Sequence, residues 1–139
     1  MLPSKITVRN YRSFVGEHTF ELRPLTLVYG ANNSGKSALL RIWALIADSV
    51  RPGLSSVLDM SSPSLFEGGW SSLVWKGERE EDDTGRFAFT LYWDSGPLSS
   101  ATYEFDWPKG GFLYIEMLDL RARAGERIEY ARSPVGAET

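Results

Sequence analysis

The sequence predicts an α/β fold: a mixed, largely antiparallel sheet wrapped around one helix and followed by an antiparallel β-meander. Three observations carry that expectation. Residues 25–29, Leu-Thr-Leu-Val-Tyr, form a short apolar, β-prone run that ends at Gly30 and reads as a buried strand. Residues 37–50 are apolar almost without interruption and stop before Pro52-Gly53, which reads as a buried helix. From residue 86 onward, apolar and polar residues alternate through run after run, each closed by turn residues.

The elements follow in chain order. Residues 5–10 alternate, with Ile6 and Val8 on one face, and read as a strand. Tyr11-Arg12-Ser13-Phe14 follows, then a turn at Gly16 and a second strand over 18–22. Pro24 breaks the chain before the run at 25–29. Two antiparallel strands leading into that third one differ from the plain doubly wound opening. Residues 52–72 are rich in Ser, Pro and Gly and read as a loop, and 71–76 suits one helical turn capped by a serine. Glu78 to Asp83 holds five acids and one arginine, a solvated loop in preference to a metal site. In the last third, strands are expected over 86–93, 101–107, 112–123 and 127–131. The apolar phase of the third shifts between Met117 and Leu118, which suggests a bulge. The aromatic stripes of this meander read as core rather than as a platform for stacking bases.

Composition narrows the class. At 139 residues the chain fits one domain, and 42% hydrophobic with 24% charged residues is ordinary for a globular protein. Zero cysteines exclude disulfides, thiol catalysis and cysteine-based zinc sites, and fit a cytoplasmic protein. The near-apolar run at 38–47 is interrupted by Arg41 and is too short to span a bilayer, so no membrane partner is expected. The formal charge of −3 hides an asymmetry. Residues 1–51 hold seven Lys/Arg against three Asp/Glu, whereas residues 52–139 hold eight against fifteen. The basic part suits a polyanionic ligand but is too weakly charged to define a nucleic-acid surface.

Between the run at 25–29 and the helix lies Gly30-Ala31-Asn32-Asn33-Ser34-Gly35-Lys36-Ser37, which fills every fixed position of the phosphate-binding pattern G-x-x-x-x-G-K-[ST]. Glycines let successive backbone N–H groups converge on phosphate oxygens. Lys36 places an ammonium on the β- and γ-phosphates, and the Ser37 hydroxyl is a ligand for Mg²⁺. The helix beginning there turns its positive dipole end to the same anion. Strand, glycine loop and helix together are the context the pattern requires, so nucleoside triphosphate binding is expected. No guanine-reading Asn-Lys-x-Asp occurs in the sequence, which argues against a GTPase.

Residues 6–14, Ile-Thr-Val-Arg-Asn-Tyr-Arg-Ser-Phe, taken with the loop and Ala38-Leu39-Leu40, resemble the amino-terminal lobe of ABC-type ATPases of the RecF, SMC and OLD kind, often grouped as AAA-like. The resemblance is strong over residues 4–47 and weaker over 66–77. It implies a P-loop NTPase lobe that binds ATP with Mg²⁺, in an ATPase whose heads dimerise around two nucleotides and act on DNA or with a partner nuclease, in repair or bacterial defence. By that resemblance Gly30, Ala31, Asn32, Asn33, Ser34, Gly35, Lys36, Ser37 and Ala38 line the phosphates, Lys36 is the candidate catalytic residue and Ser37 the metal ligand. Arg12 and Ser13 match a position beside the ribose and phosphates, and Trp75-Lys76 falls where a lid glutamine is expected. The organisation implied is a single partial domain: strands, loop and helix over 1–51, a loop region over 52–84, the meander over 85–131 and a tail over 132–139.

Several parts of a complete site of that kind have no counterpart. The sequence has no glutamine, no apolar strand ending in Asp-Glu and no signature-like helix after the meander. Its one histidine, His18, falls in an early strand and reads as a surface position. The sequence is therefore expected to stop before a second lobe, and to bind ATP without hydrolysing it alone. The alternative is a nucleotide-dependent sensor or binding module that never turns over.

Overall fold

The computed structural model describes residues 2–32, 34–50, 58–63, 69–75, 85–107 and 113–132. Its frame is a six-stranded sheet and one α-helix. Strands β1 (Lys5–Tyr11) and β2 (Phe14–Glu21) form a hairpin, helix α1 runs over Lys36–Ser49, and β3 (Arg86–Tyr92), β4 (Leu98–Asp106), β5 (Tyr114–Ala122) and β6 (Arg127–Ala131) complete the sheet. The strand order is β2-β1-β3-β4-β5-β6, and every pair is antiparallel. The expected meander is therefore present, and β1 joins it to the amino-terminal hairpin through the pairing of Val8 with Phe89.

Alternation gives this sheet two unlike faces. One presents Ile6, Val8, Phe87, Phe89, Leu91, Ala101 and Phe105, all buried. Helix α1 lies over it and contributes Ala38, Ile42 and Leu45, spaced four and three apart and so on one side of the helix. The expected buried helix is buried on that side only: Leu40 is 59% exposed. Aromatic pairs tighten the core, with Phe87 stacked on Phe105 at 5.2 Å and Tyr11 against Phe87 at 5.8 Å. Core, not a base-stacking platform, is thus where these rings lie. The opposite face is polar: Thr7 pairs with Thr19, Thr90 with Thr102, Arg9 with Glu104, and Arg86 with Asp106.

Residues 25–29 correct the expectation of a buried strand. No strand or bridge forms there, and Leu25, Leu27 and Tyr29 are 79%, 77% and 90% exposed. A β-prone run becomes a buried strand only with neighbours on its hydrogen-bonding edges, and among the described residues this run has none. The sheet is accordingly all antiparallel rather than mixed. The bulge expected between Met117 and Leu118 lies slightly earlier: Glu104 faces Met117 while Phe105 faces Ile115, which leaves Glu116 as the extra residue.

Residues 69–72 form a 3₁₀ turn, where one helical turn was expected over 71–76. The following residues strap across the end of β1. Arg12 N–H donates to Leu73 O at 2.7 Å, Trp75 N–H donates to Asn10 O at 2.9 Å, and Tyr11 bridges to Val74. His18 is exposed on β2, where its Nε2 lies 2.8 Å from Val15 O. Glu78 to Asp83 and Lys76 lie outside the described residues.

Candidate functional site

The site is built where β1 turns into β2 beside the start of α1. Asn10 and Arg12 both adopt left-handed backbone, with φ of 52° and 50°. Non-glycine residues rarely do so, and two in one turn cost on the order of 1–3 kcal/mol each unless their surroundings hold them. Here they are held. Asn10 Oδ1 accepts from Gly16 N–H at 2.9 Å, and the strap at 73–75 bonds the backbone of both residues. The register of β1 against β2 shifts between Arg9 and Tyr11, so Tyr11 rather than Asn10 turns into the core. Tyr11 OH then donates to Ala38 O, 3.2 Å away in the first turn of α1.

The glycine loop meets this turn from the other side. Gly35 caps α1 with φ 91°, and a Cβ there would stand 2.6 Å from Phe14 Cζ and 3.2 Å from Ser13 Oγ. Only glycine lets the loop lie this close to the hairpin. Gly35 O accepts the first bond of the helix, from Leu39 N–H at 2.9 Å, and no side chain caps the helix. The N–H groups of the first turn therefore have no intrahelical acceptor. Lys36 folds back over the loop, its Nζ donating to Gly30 O at 2.6 Å and Ala31 O at 2.5 Å. An ammonium has three protons, so one donor direction is left beyond these two.

Ser13, Asn32, Gly35, Lys36, Ser37 and Ala38 line one open cleft. The structure thus brings Ser13 together with loop residues Asn32, Gly35, Lys36 and Ser37, which lie 19 or more positions away in sequence. Gly30 and Ser34 line an adjoining groove with Lys36, between α1 and β2. Asn33 lies outside the described residues. Arg12 does not line the cleft; its guanidinium lies over the Tyr11 ring at 5.7 Å, with Nε donating to Tyr11 OH at 3.1 Å. Burial pushes the Tyr11 hydroxyl above the usual phenol range, and the charges of Arg12 and Arg41 pull it partly back.

Chemically the cleft is donor-rich, and among the described residues its lining carries one formal charge, that of Lys36, and no carboxylate. That is an arrangement complementary to an oxyanion. Among the described residues no group of three or more His, Cys, Asp or Glu could hold a metal by itself. The residues that sequence reasoning missed are Tyr11 and Phe14. A signal for Tyr11 was available: Asn10 occupies the inward phase set by Ile6 and Val8, and an aromatic follows it directly, which is the pattern a bulge at Asn10 produces.

Residues 5–57 match the family model described as an AAA domain. This stretch includes β1, β2, the glycine loop and α1, and it is an AAA-like, ATPase-type region. No curated protein matches the chain. Among the described residues no helix is long and apolar enough to cross a membrane.

Proposed function

We propose that this chain is the ATP-binding lobe of an ABC-type ATPase of the RecF, SMC and OLD kind, a single partial domain with a P-loop NTPase fold. The observation that carries the reading is the donor-lined cleft at the glycine loop, with Lys36 as a cation in its lining, inside the AAA-like region. In this reading Lys36 and the N–H groups around Ser34, Gly35, Ser37 and Ala38 bind the β- and γ-phosphates, and Gly30, Ala31, Asn32 and Asn33 shape the loop. The third donor of Lys36 is the one offered to the γ-phosphate. Ser13 and Arg12 approach the phosphates and ribose from the hairpin side. Ser37 gives Mg²⁺ a single hydroxyl ligand, and phosphate oxygens and waters supply the rest, as is usual for a cation that keeps several waters. The working protein is a cytoplasmic homodimer of heads acting on DNA or with a nuclease, in repair or defence.

A second reading is favoured by the lining of the cleft, which among the described residues holds no carboxylate. Phosphoryl transfer needs the phosphates clamped, the metal held and a water aligned, and the cleft supplies the first of these. The chain would then act as a nucleotide-dependent sensor. Both readings require binding, so binding is tested first. Removing a charge-assisted contact costs about 1.5–3 kcal/mol, so Lys36→Ala should weaken ATP–Mg²⁺ binding roughly tenfold or more in calorimetric titration. Equal affinities for the two proteins would overturn both readings. Phosphate release no faster from the wild type than from Lys36→Ala would favour the sensor.

A further inference from the structure

We infer that Tyr11 is a positioning residue for ligand binding: its hydroxyl ties the Arg12–Ser13 turn to the first turn of α1 and thereby sets the direction of Arg12 beside the phosphate cleft. The inference rests on the nucleotide-binding reading above. It starts from a buried polar group. Tyr11 is fully buried, and its hydroxyl has two partners of different kinds, the Ala38 carbonyl as acceptor and Arg12 Nε as donor. A phenol can make both bonds at once, so one oxygen links the helix to the guanidinium. Ala38 itself lines the cleft, and so does Ser13, one residue beyond Arg12. The link therefore spans from one wall of the cleft to the residue beside the other.

Packing of the ring alone does not require this hydroxyl. Phe87, Phe105, Ile6 and Val8 are purely apolar members of the same core. Placing a hydroxyl among them is unfavourable unless it is bonded, and here one bond runs to Ala38, which lines the cleft, and the other to Arg12, next to Ser13. The backbone agrees with the side chain. Arg12 is held at φ 50° by the bond from its N–H to Leu73 O, and its guanidinium lies over the Tyr11 ring. Three anchors thus fix the direction of a cation whose long side chain would otherwise sample many rotamers. A cation fixed beforehand costs less ordering when an anion arrives. Phe14 lies against the loop from the same hairpin, so close that a Cβ on Gly35 would stand 2.6 Å from its Cζ.

Tyr11→Phe removes the hydroxyl and keeps the ring, and so tests the tie. ATP–Mg²⁺ affinities are measured by calorimetry for wild type, Tyr11→Phe, Arg12→Ala and the double variant, with thermal unfolding of each recorded alongside. The expected result is a loss of about three- to tenfold for Tyr11→Phe, the range one hydrogen bond spans. In the Arg12→Ala background the same change should cost less than twofold, because there is no guanidinium left to aim. An equal loss with and without Arg12 would overturn the inference and make Tyr11 a merely structural residue. No loss in a folded Tyr11→Phe would overturn it as well. If the wild type itself fails to bind ATP–Mg²⁺, the underlying nucleotide reading falls, which is a different outcome from either.

Discussion

The two flanks of the glycine loop are built from similar material and end in opposite states. On the hairpin side, Ile6, Val8 and Tyr11 are apolar residues of a short strand, and all three are buried. On the other side, Leu25, Leu27 and Tyr29 alternate in the same way and stand in solvent. The difference is in their neighbours. Strand β1 is paired on both edges, by β2 and β3, and α1 lies over its apolar face. Residues 25–29 make no backbone–backbone hydrogen bond among the described residues. β-propensity describes fit to a pleated, half-buried surface, so it needs the surface to be there. The hairpin flank is the paired and packed one, and the flank at 25–29 is the one on which apolar surface remains uncovered.

The comparison can be broken most forcefully at the glycines. Gly35→Ala would put a Cβ 2.6 Å from Phe14 Cζ at a φ of 91°. Left-handed strain of about 1–2 kcal/mol and overpacking of about 1–3 kcal/mol together predict a loss of roughly 2–5 kcal/mol in urea unfolding. Gly30→Ala, on the open flank, meets only the exposed Ser34 hydroxyl at 3.0 Å and should cost clearly less, chiefly for its φ of 155°. Equal losses would mean that the loop is packed no more tightly on the hairpin flank than on the other.

The same contrast recurs across the helix. Ile42 is fully buried against the sheet, so Ile42→Ala should cost about 2–5 kcal/mol. Leu40 lies on the outer side, and Leu40→Ala should change stability by no more than about 0.5 kcal/mol. Chemical denaturation of both variants is the check, and a large loss at Leu40 would show that its face is covered in solution.

The smallest effect lies furthest from the loop. Asp119 on β5 accepts from Arg127 and Arg121, and the hydrogen bond from Arg127, ahead of that from Arg121, holds its carboxyl below the usual carboxylate range. A depressed pKa stabilises the fold above the unfolded value and ceases to do so as pH falls through the folded one. Asp119→Asn should therefore cost up to about 1 kcal/mol at pH 7, since both arginines are half exposed. The gap should close as pH drops below about 4, while ATP binding at pH 7 stays unchanged. Stability curves of the two proteins from pH 7 to pH 2 would reveal a gap that fails to close.

What was legible in the sequence followed from locality. The loop and α1 were found to within a residue because their signals, the fixed glycines and Pro52-Gly53, lie in the element itself or within a few residues of its end. The meander was legible because alternation survives in each strand, and even the bulge was located within about two residues through the phase change it leaves behind. Burial of residues 25–29 was not legible, since it depends on partner strands and not on the run itself. Nor was the strap at 73–75, whose bonds to Asn10 and Arg12 join positions more than 60 apart by backbone atoms that carry no residue signal. Within the site, the motif identified the loop, the resemblance supplied Ser13, and only three-dimensional packing revealed Tyr11 and Phe14.

In the proposed reading an anionic ligand is held between the loop and the hairpin turn. Amide chemical shifts recorded by ¹⁵N-resolved NMR during titration with ATP–Mg²⁺ test it most directly. The largest shifts are expected at Gly35, Lys36, Ser37, Ala38 and Ser13, they should need roughly tenfold or more ATP–Mg²⁺ in Lys36→Ala, and β5 and β6 should stay still. Shifts concentrated on β5 and β6 with the loop amides unmoved would contradict it.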